Sequence, residues 1–276
     1  MKNVLSADFF DLRKSKMVFL LPAFAILLGV LMPMMYYGIY VLFKYIGSMD
    51  ALKDNPSIQS MVGMLDILDA RTVFMSSLPL SQGFGLMMTA MVGFRAARPF
   101  GTGVYRNKVI VGIPRPAIYL SQFLICLLLS IVGAALYTLS AGITSRLTFG
   151  PLDLSGHEIL VIAVFTFGIY LVYTAIPVFT AFTFRSVPLT LIVSMVLPIL
   201  MQTVISIVTP VISFTQETVP EAFLYIMTAL PAFQGAIMAA QGIPNTIVII
   251  AICADLVWAA LLTVLGVLRF RKADIK

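Results

Sequence analysis

Six long stretches of the sequence carry almost no charge, and they decide what the chain can fold into. Asp255 is the single charged residue within them, and they cover residues 17–43, 72–94, 117–145, 159–184, 187–216 and 246–268. A helix needs about 20 apolar residues to cross the hydrocarbon core of a bilayer. Of all residues, 60% are hydrophobic and 11% charged, unlike the balance of a soluble domain. The sequence predicts an all-α polytopic membrane protein, one domain over residues 1–276 with six transmembrane helices.

The basic residues are unevenly distributed among the predicted loops. Fourteen of the 18 lysines and arginines lie before the first span, in the loops after the second and fourth spans, and in the C-terminal tail. The opposite loops hold the other four together with eight acids. Because lysine and arginine are retained in cytoplasmic loops, both termini are expected in the cytoplasm. The net charge of +6 then follows from topology, and no nucleic-acid partner is expected.

Two apolar segments are predicted to lie along the membrane or dip into it. Before the first span, four apolar side chains share one helical face, which is typical of an interfacial helix: Val4, Leu5, Phe9 and Leu12. Residues 223–241 are apolar for about the length of a span. A full crossing there would place the basic tail outside, so residues 217–244 are expected to form an outer re-entrant or interfacial hairpin. A short outer amphipathic helix is also expected over residues 58–68.

The sequence offers little material for an active site. Its one histidine, His157, falls in an outer loop, so a nucleophile or metal within the spans has no histidine beside it. No G-x-x-x-x-G-K-[ST] phosphate-binding loop occurs, and Gly101-Thr102-Gly103 follows a predicted membrane helix instead of a strand. The chain is therefore not expected to be an enzyme or to hold a cofactor or metal. Any ATP-driven activity requires a nucleotide site on another chain.

The predicted cytoplasmic loop 95–116 carries five basic residues and no acid. A short helix there would have an apolar side formed by Val104, Val109 and Ile113. Three basic side chains are expected to stay solvated: Arg106, Lys108 and Arg115. This pattern predicts either a docking element for a partner or a basic loop in contact with anionic lipid headgroups.

This loop resembles that of the ABC-2 type permeases, the membrane subunits of a large class of bacterial ABC exporters. The matching residues are Gly101, Thr102, Arg106-Asn107-Lys108, Gly112, Arg115 and Tyr119-Leu120-Ser121. The six-span layout, the N-terminal interfacial helix and the outer segment before the last span extend the resemblance over nearly the whole chain.

The resemblance implies that residues 95–116 form a coupling loop that docks to a separate ATPase subunit. The residues implied in docking are Gly101, Thr102, Tyr105, Arg106, Asn107, Lys108, Gly112 and Arg115. It also implies two ATPase copies that bind ATP and Mg, and a second permease chain, the same or homologous. The assembly would lie among membrane lipids in the cytoplasmic (inner) membrane of a bacterium.

Asp255 is the one charged residue predicted at bilayer depth, where a carboxylate costs at least about 2.5 kcal/mol. It either lines a translocation path or makes an interhelical contact as a protonated acid. Its possible partners are a serine or threonine hydroxyl, Gln82, Gln122 and Gln202. Small residues such as Gly168 are spaced for helix packing.

Three functional hypotheses remain open from sequence. The first is a permease subunit of an ATP-driven exporter for an apolar or amphipathic cargo such as a drug, a lipid or an antimicrobial peptide. The second is a non-transporting membrane sensor or immunity module that binds such a ligand. The third is an intramembrane enzyme. The 16 methionines and 20 phenylalanines fit a greasy cavity and lipid-facing surface equally well, so they do not identify a cargo.

Overall fold

Helices make up the regular structure of the chain in a computed structural model that describes residues 2–47, 69–78, 84–214, 221–231, 233–234 and 244–272. No β-strand occurs among these residues, so the all-α prediction is confirmed there. The helices are α1 (Lys2–Lys14), α2 (Met17–Gly47), α3 (Ala70–Ser77), α4 (Phe84–Gly101), α5 (Val104–Ile110), α6 (Arg115–Phe149), α7 (Gly156–Phe184), α8 (Val187–Phe214), α9 (Glu221–Thr228) and α10 (Asn245–Arg271).

Within the described part of the chain, four helices are long and apolar enough to cross a membrane: α2, α6, α7 and α10. They coincide with the predicted spans 17–43, 117–145, 159–184 and 246–268. The predicted span 72–94 falls on α3 and α4, with residues 79–83 outside the described ones, and the span 187–216 falls largely on α8. The helix expected over residues 58–68 also lies outside them. The helical architecture is confirmed for the described residues, and four of its helices are able to span a membrane, while six crossings remain a prediction.

The four long helices present apolar side chains outward. Phe19 of α2 is 76% exposed, and Leu139 of α6 and Val257 of α10 are each more than half exposed. A soluble monomer rarely exposes a continuous apolar surface of this kind. Lipid chains are therefore the solvent that suits this surface.

One end of the helix bundle gathers α1, the loop 95–116 and the C-terminal end of α10. Arg115 Nη1, at the start of α6, donates a 2.7 Å hydrogen bond to the carbonyl oxygen of Arg271, at the end of α10. Ser121 Oγ, nearly two turns further along α6, donates a 2.6 Å hydrogen bond to Asp8 Oδ2 of α1. We call this the basic end, and both the first and the last described helices meet there.

The opposite end, which we call the far end, is held by polar contacts between helix starts. His157 Nε2 at the start of α7 lies 2.9 Å from Asn245 Oδ1 at the start of α10. Arg71 of α3 forms a 2.5 Å ion pair with Glu158 of α7. The helices α7 and α10 therefore run from the far end to the basic end, and α6 runs the other way.

The predicted N-terminal amphipathic helix is present as α1, but its packed side differs from the predicted one. Leu12 is buried and Leu5 packs against the core, whereas Phe9 is 52% exposed beside an exposed Phe10. The residue that replaces Phe9 on the packed side is Asp8, which is buried. An ion pair makes this burial possible.

Candidate functional site

The loop at the basic end folds into the seven-residue helix α5 between two glycine turns. Gly103 precedes α5 with φ of 73°, and Gly112 follows it with φ of 88°. Both values lie in the left-handed region, which a side chain disfavours and glycine tolerates. The short helix predicted in this loop is therefore present, and Gly112 has a defined role in ending it.

Tyr105 fixes the inner side of α5 to the bundle. The side chain is 1% exposed, and its hydroxyl donates a 3.1 Å hydrogen bond to the carbonyl oxygen of Ala96 in α4. Burial raises the pKa of Tyr105 well above its ordinary value, so the phenol keeps the proton that this bond requires. Tyr105 is thus closed off from a partner and acts by holding the helix in place.

Five aromatic rings, one from each of five helices, meet under α5. We call this set the aromatic cluster: Phe100 of α4, Tyr105 of α5, Tyr119 of α6, Phe182 of α7 and Phe270 of α10.

Phe182 is the centre of the aromatic cluster. Its ring centroid lies 5.1 Å from that of Tyr105 and 4.8 Å from those of Tyr119 and Phe270. Such pairs contribute about 0.5–1.5 kcal/mol each beyond the area that they bury. Because the other four rings come from the ends of four longer helices, the aromatic cluster joins α5 to those helix ends.

A second anchor joins α5 to α1 and α6 through a buried carboxylate. Lys108 of α5 forms an ion pair with Asp8 Oδ1 of α1, and Ser121 of α6 donates to the other oxygen. We call these three residues the carboxylate latch. The side chain of Lys108 is 15% exposed and that of Asp8 is 6% exposed, so the prediction that Lys108 stays solvated is wrong. The opposite charge and the hydroxyl compensate for the water that both groups lose.

The remaining residues of the predicted docking set divide between surface and contact positions. Arg115 is half-buried and bound to the carbonyl of Arg271. The residues that lie exposed are Gly101, Thr102, Arg106, Asn107 and Gly112.

The sequence did not predict two exposed apolar side chains, one at the end of α5 and one directly after it. Ile110 is 71% exposed and Val111 is 80% exposed, beside Arg106. The expected apolar side is correct for Val109, which packs against the core, but Val104 is 36% exposed. Counting helical positions from a buried Tyr105 would have placed Ile110 and Arg106 outward. We call the exposed surface of Arg106, Asn107, Ile110 and Val111 the outer face.

Asp255 lies near the middle of α10 and is 1% exposed. Its Oδ1 accepts a 3.0 Å hydrogen bond from Gln234 Nε2, and the same amide nitrogen donates to the carbonyl oxygen of Thr228 at 3.0 Å. The partner of Asp255 is therefore Gln234, which sequence reasoning did not name. The contact ties the segment that contains α9 to the middle of α10.

The other oxygen of Asp255 lies against the backbone of α7. This oxygen occupies the space that a Cβ atom at residue 168 would take. Gly168 has no Cβ atom and leaves that space open. No hydrogen-bond donor meets this Oδ2 atom within the described residues. The prediction that Gly168 serves helix packing agrees with this close approach of α7 to α10.

The fold defines a helical membrane protein with a short anchored helix exposed at one end. No protein-family model matches the chain, and no curated relative matches it.

Proposed function

We propose that the chain is an ABC-2 type permease, the membrane subunit of an ATP-driven exporter for an apolar or amphipathic cargo. The observation that carries the proposal is α5, whose outer face is exposed while its inner side is packed into the aromatic cluster. A helix of this kind can transmit a movement of a separate ATPase to the membrane helices. ATP and Mg bind to that ATPase, and two ATPases act on two permease chains, the same or homologous.

The two anchors of α5, the aromatic cluster and the carboxylate latch, are the contacts through which this movement reaches the membrane helices. Through the aromatic cluster, a displacement of Tyr105 bears on Phe182 and Phe270, at the ends of α7 and α10. Through the carboxylate latch, it bears on α1 and on the start of α6. Close-packed side chains move between discrete arrangements, so these contacts favour concerted movement of helix ends and gating of a path between the two permeases.

The finer membrane layout is part of the same proposal: six crossings, a cytoplasmic basic end with both termini, and a re-entrant segment over residues 217–244. Two contacts support the re-entrant segment. Gln234 reaches Asp255, and Trp258 Nε1 donates a 3.1 Å hydrogen bond to the carbonyl oxygen of Ala229. Asp255 lies about 15 Å along α10 from its start, at 1.5 Å per residue. A segment lying on the membrane surface alone would not reach this depth.

Changing the outer face is expected to uncouple the ATPase. The double variant Arg106→Glu with Val111→Ser reverses a charge and removes an exposed apolar contact, while Tyr105 keeps α5 in place. An arginine at the centre of an interface accounts for about 2 kcal/mol or more of binding, so at least a tenfold loss of binding is expected. The measurement is ATP hydrolysis by an ATPase subunit from a neighbouring reading frame, with and without this chain in proteoliposomes.

The matched control is Lys272→Glu with Leu268→Ser, which makes the same changes on exposed residues at the basic end of α10. It is expected to keep both binding and stimulation. Full stimulation by the outer-face variant would contradict the docking assignment. Equal losses in both variants would show a general effect of charge.

Asp255→Asn is expected to reduce stimulated ATP hydrolysis while leaving assembly intact. The substitution preserves shape but places an amide group where a carboxylate faces Gln234 and the backbone of Gly168. Cys253→Ser, on an exposed position of the same helix, is the control and should behave as the wild type. Wild-type activity in Asp255→Asn would remove Asp255 from the transport mechanism.

A further inference from the structure

A long apolar groove runs between α6 and α7 in the half of the bundle nearest the far end. Its volume is about 590 Å³. On α6 the lining residues recur on one helical stripe from Ile131 to Arg146, and on α7 they run from Ile159 to Tyr170. Phe74 of α3 also contributes to the lining. The groove is therefore built by side chains of both long helices and is not a gap at a single position.

Among the described residues that line this groove, Arg146 is the one charged residue, and it lies at the end of the groove nearest the far end of the bundle. Its side chain is exposed, and it forms no ion pair with any residue that the structure describes. The other lining side chains at its end of the groove are apolar, among them Ile143 and Leu154. A groove with an apolar lining and, among the described residues, one unpaired cation at its end matches an amphiphile with an anionic headgroup.

The dimensions of the groove match one leaflet of a membrane. Fifteen residues separate Ile131 from Arg146, which corresponds to about 22 Å along a helix. Half of a bilayer, headgroups included, measures about 20–22 Å. When Arg146 lies at headgroup depth, Ile131 lies close to the middle of the bilayer.

We propose that this groove binds one glycerophospholipid, with its phosphate at Arg146 and an acyl chain along α6 and α7. The proposal concerns the lateral surface of the chain and does not depend on ATP-driven export. It identifies a lipid site distinct from the aromatic cluster and from Asp255, neither of which contributes to the lining.

A second copy of the chain is a poorer occupant of the groove. In a symmetric pair that packs groove to groove, the two copies of Arg146 would approach each other from the same patch. The described residues of the lining include no acid to separate them. A lipid phosphate instead brings the opposite charge, and its acyl chain adapts to an irregular apolar wall.

The test uses the full chain in vesicles of phosphatidylglycerol and phosphatidylcholine with a trace of phosphatidylglycerol that carries a photoactivatable acyl chain. After illumination, mass spectrometry of peptides locates the labelled residues. Labelling is expected on both walls of the groove, and excess inorganic phosphate should not reduce it. Loss of labelling with inorganic phosphate would show a free-anion site and would overturn the lipid assignment.

Substitutions at Arg146 and in the apolar lining separate the contribution of the lipid headgroup from that of the acyl chain. Arg146→Gln should weaken labelling about fivefold, the equivalent of about 1 kcal/mol for one cation near a lipid headgroup. Ala135→Trp fills the groove and should abolish labelling on its walls, with Ala163→Leu as a smaller change to the opposite wall in case the tryptophan prevents folding. The controls are Lys44→Gln and Leu265→Trp, which alter an exposed basic and an exposed apolar position outside the lining.

Unchanged labelling in both Ala135→Trp and Ala163→Leu would overturn the site, as would equal labelling in Arg146→Gln and Lys44→Gln. If Ala135→Trp converts a dimer into a monomer while the wild-type groove takes no label, the groove is an interface between copies and the proposal fails. Thermal unfolding of each variant shows whether the fold is retained.

Discussion

Asp8→Ala is expected to release α1 from the bundle and to weaken the attachment of α5. The substitution leaves Lys108 in a largely buried position without its counter-ion, and removing one partner of a buried pair costs about 3–5 kcal/mol. The lower value is expected here, because Lys108 retains some access to water. Thermal unfolding in detergent measures the stability loss. Trypsin cleavage at exposed Arg13 and Lys14 measures the release of α1.

The neighbouring exposed acid provides the matched control for Asp8. Asp11→Ala removes the same charge from the same helix without touching the carboxylate latch, so its stability and cleavage rate should remain those of the wild type. Adding Lys108→Met to Asp8→Ala should recover much of the loss, because the unpaired cation is then absent. Equal effects of Asp8→Ala and Asp11→Ala would refute the latch.

Gly168→Ala is expected to force α7 and α10 apart. A methyl group there meets the Asp255 carboxylate, which is held from its other side by Gln234. Overpacking of a well-packed core costs about 1–3 kcal/mol, and in this case it also disturbs a buried polar contact. A lowered unfolding temperature in detergent, together with reduced stimulated ATP hydrolysis, is the expected result.

Two further variants isolate the clash at Gly168. Gly38→Ala places the same methyl group in open space on α2, and it should be neutral or slightly stabilising. Combining Gly168→Ala with Asp255→Ala removes the colliding carboxylate and should restore most of the lost stability. If the double variant is less stable than Gly168→Ala alone, the contact between α7 and α10 is not the cause.

The helices were predictable because a long apolar run without charges is the main requirement for a helix that crosses a membrane. The exposure of Arg106 and Asn107, two residues of the predicted docking set, was predictable too, because they belong to a basic loop. The six crossings depend on charge distribution and length alone, which do not distinguish a full crossing from a partial one. The predicted layout is therefore more specific than the helices themselves.

The two anchors of α5 were not predictable from sequence for a common reason. Lys108 pairs with Asp8 and Tyr105 packs on Phe182, and each contact joins residues far apart in the chain. A single sequence shows charge and periodicity within one element, but it does not show which distant element will cover a side chain. Lys108 was therefore expected in water, where an isolated lysine has its lowest free energy.

The aromatic cluster has a consequence for exchanging the loop 95–116 between membrane proteins. Since Tyr105 contacts rings from α4, α7 and α10, the loop 95–116 is not a portable module that can be moved into another membrane domain by itself. A graft of the loop would require Phe182 and Phe270 to accompany it. The outer face lies outside the aromatic cluster, so substitutions there can change the exposed surface of the loop without disturbing the bundle.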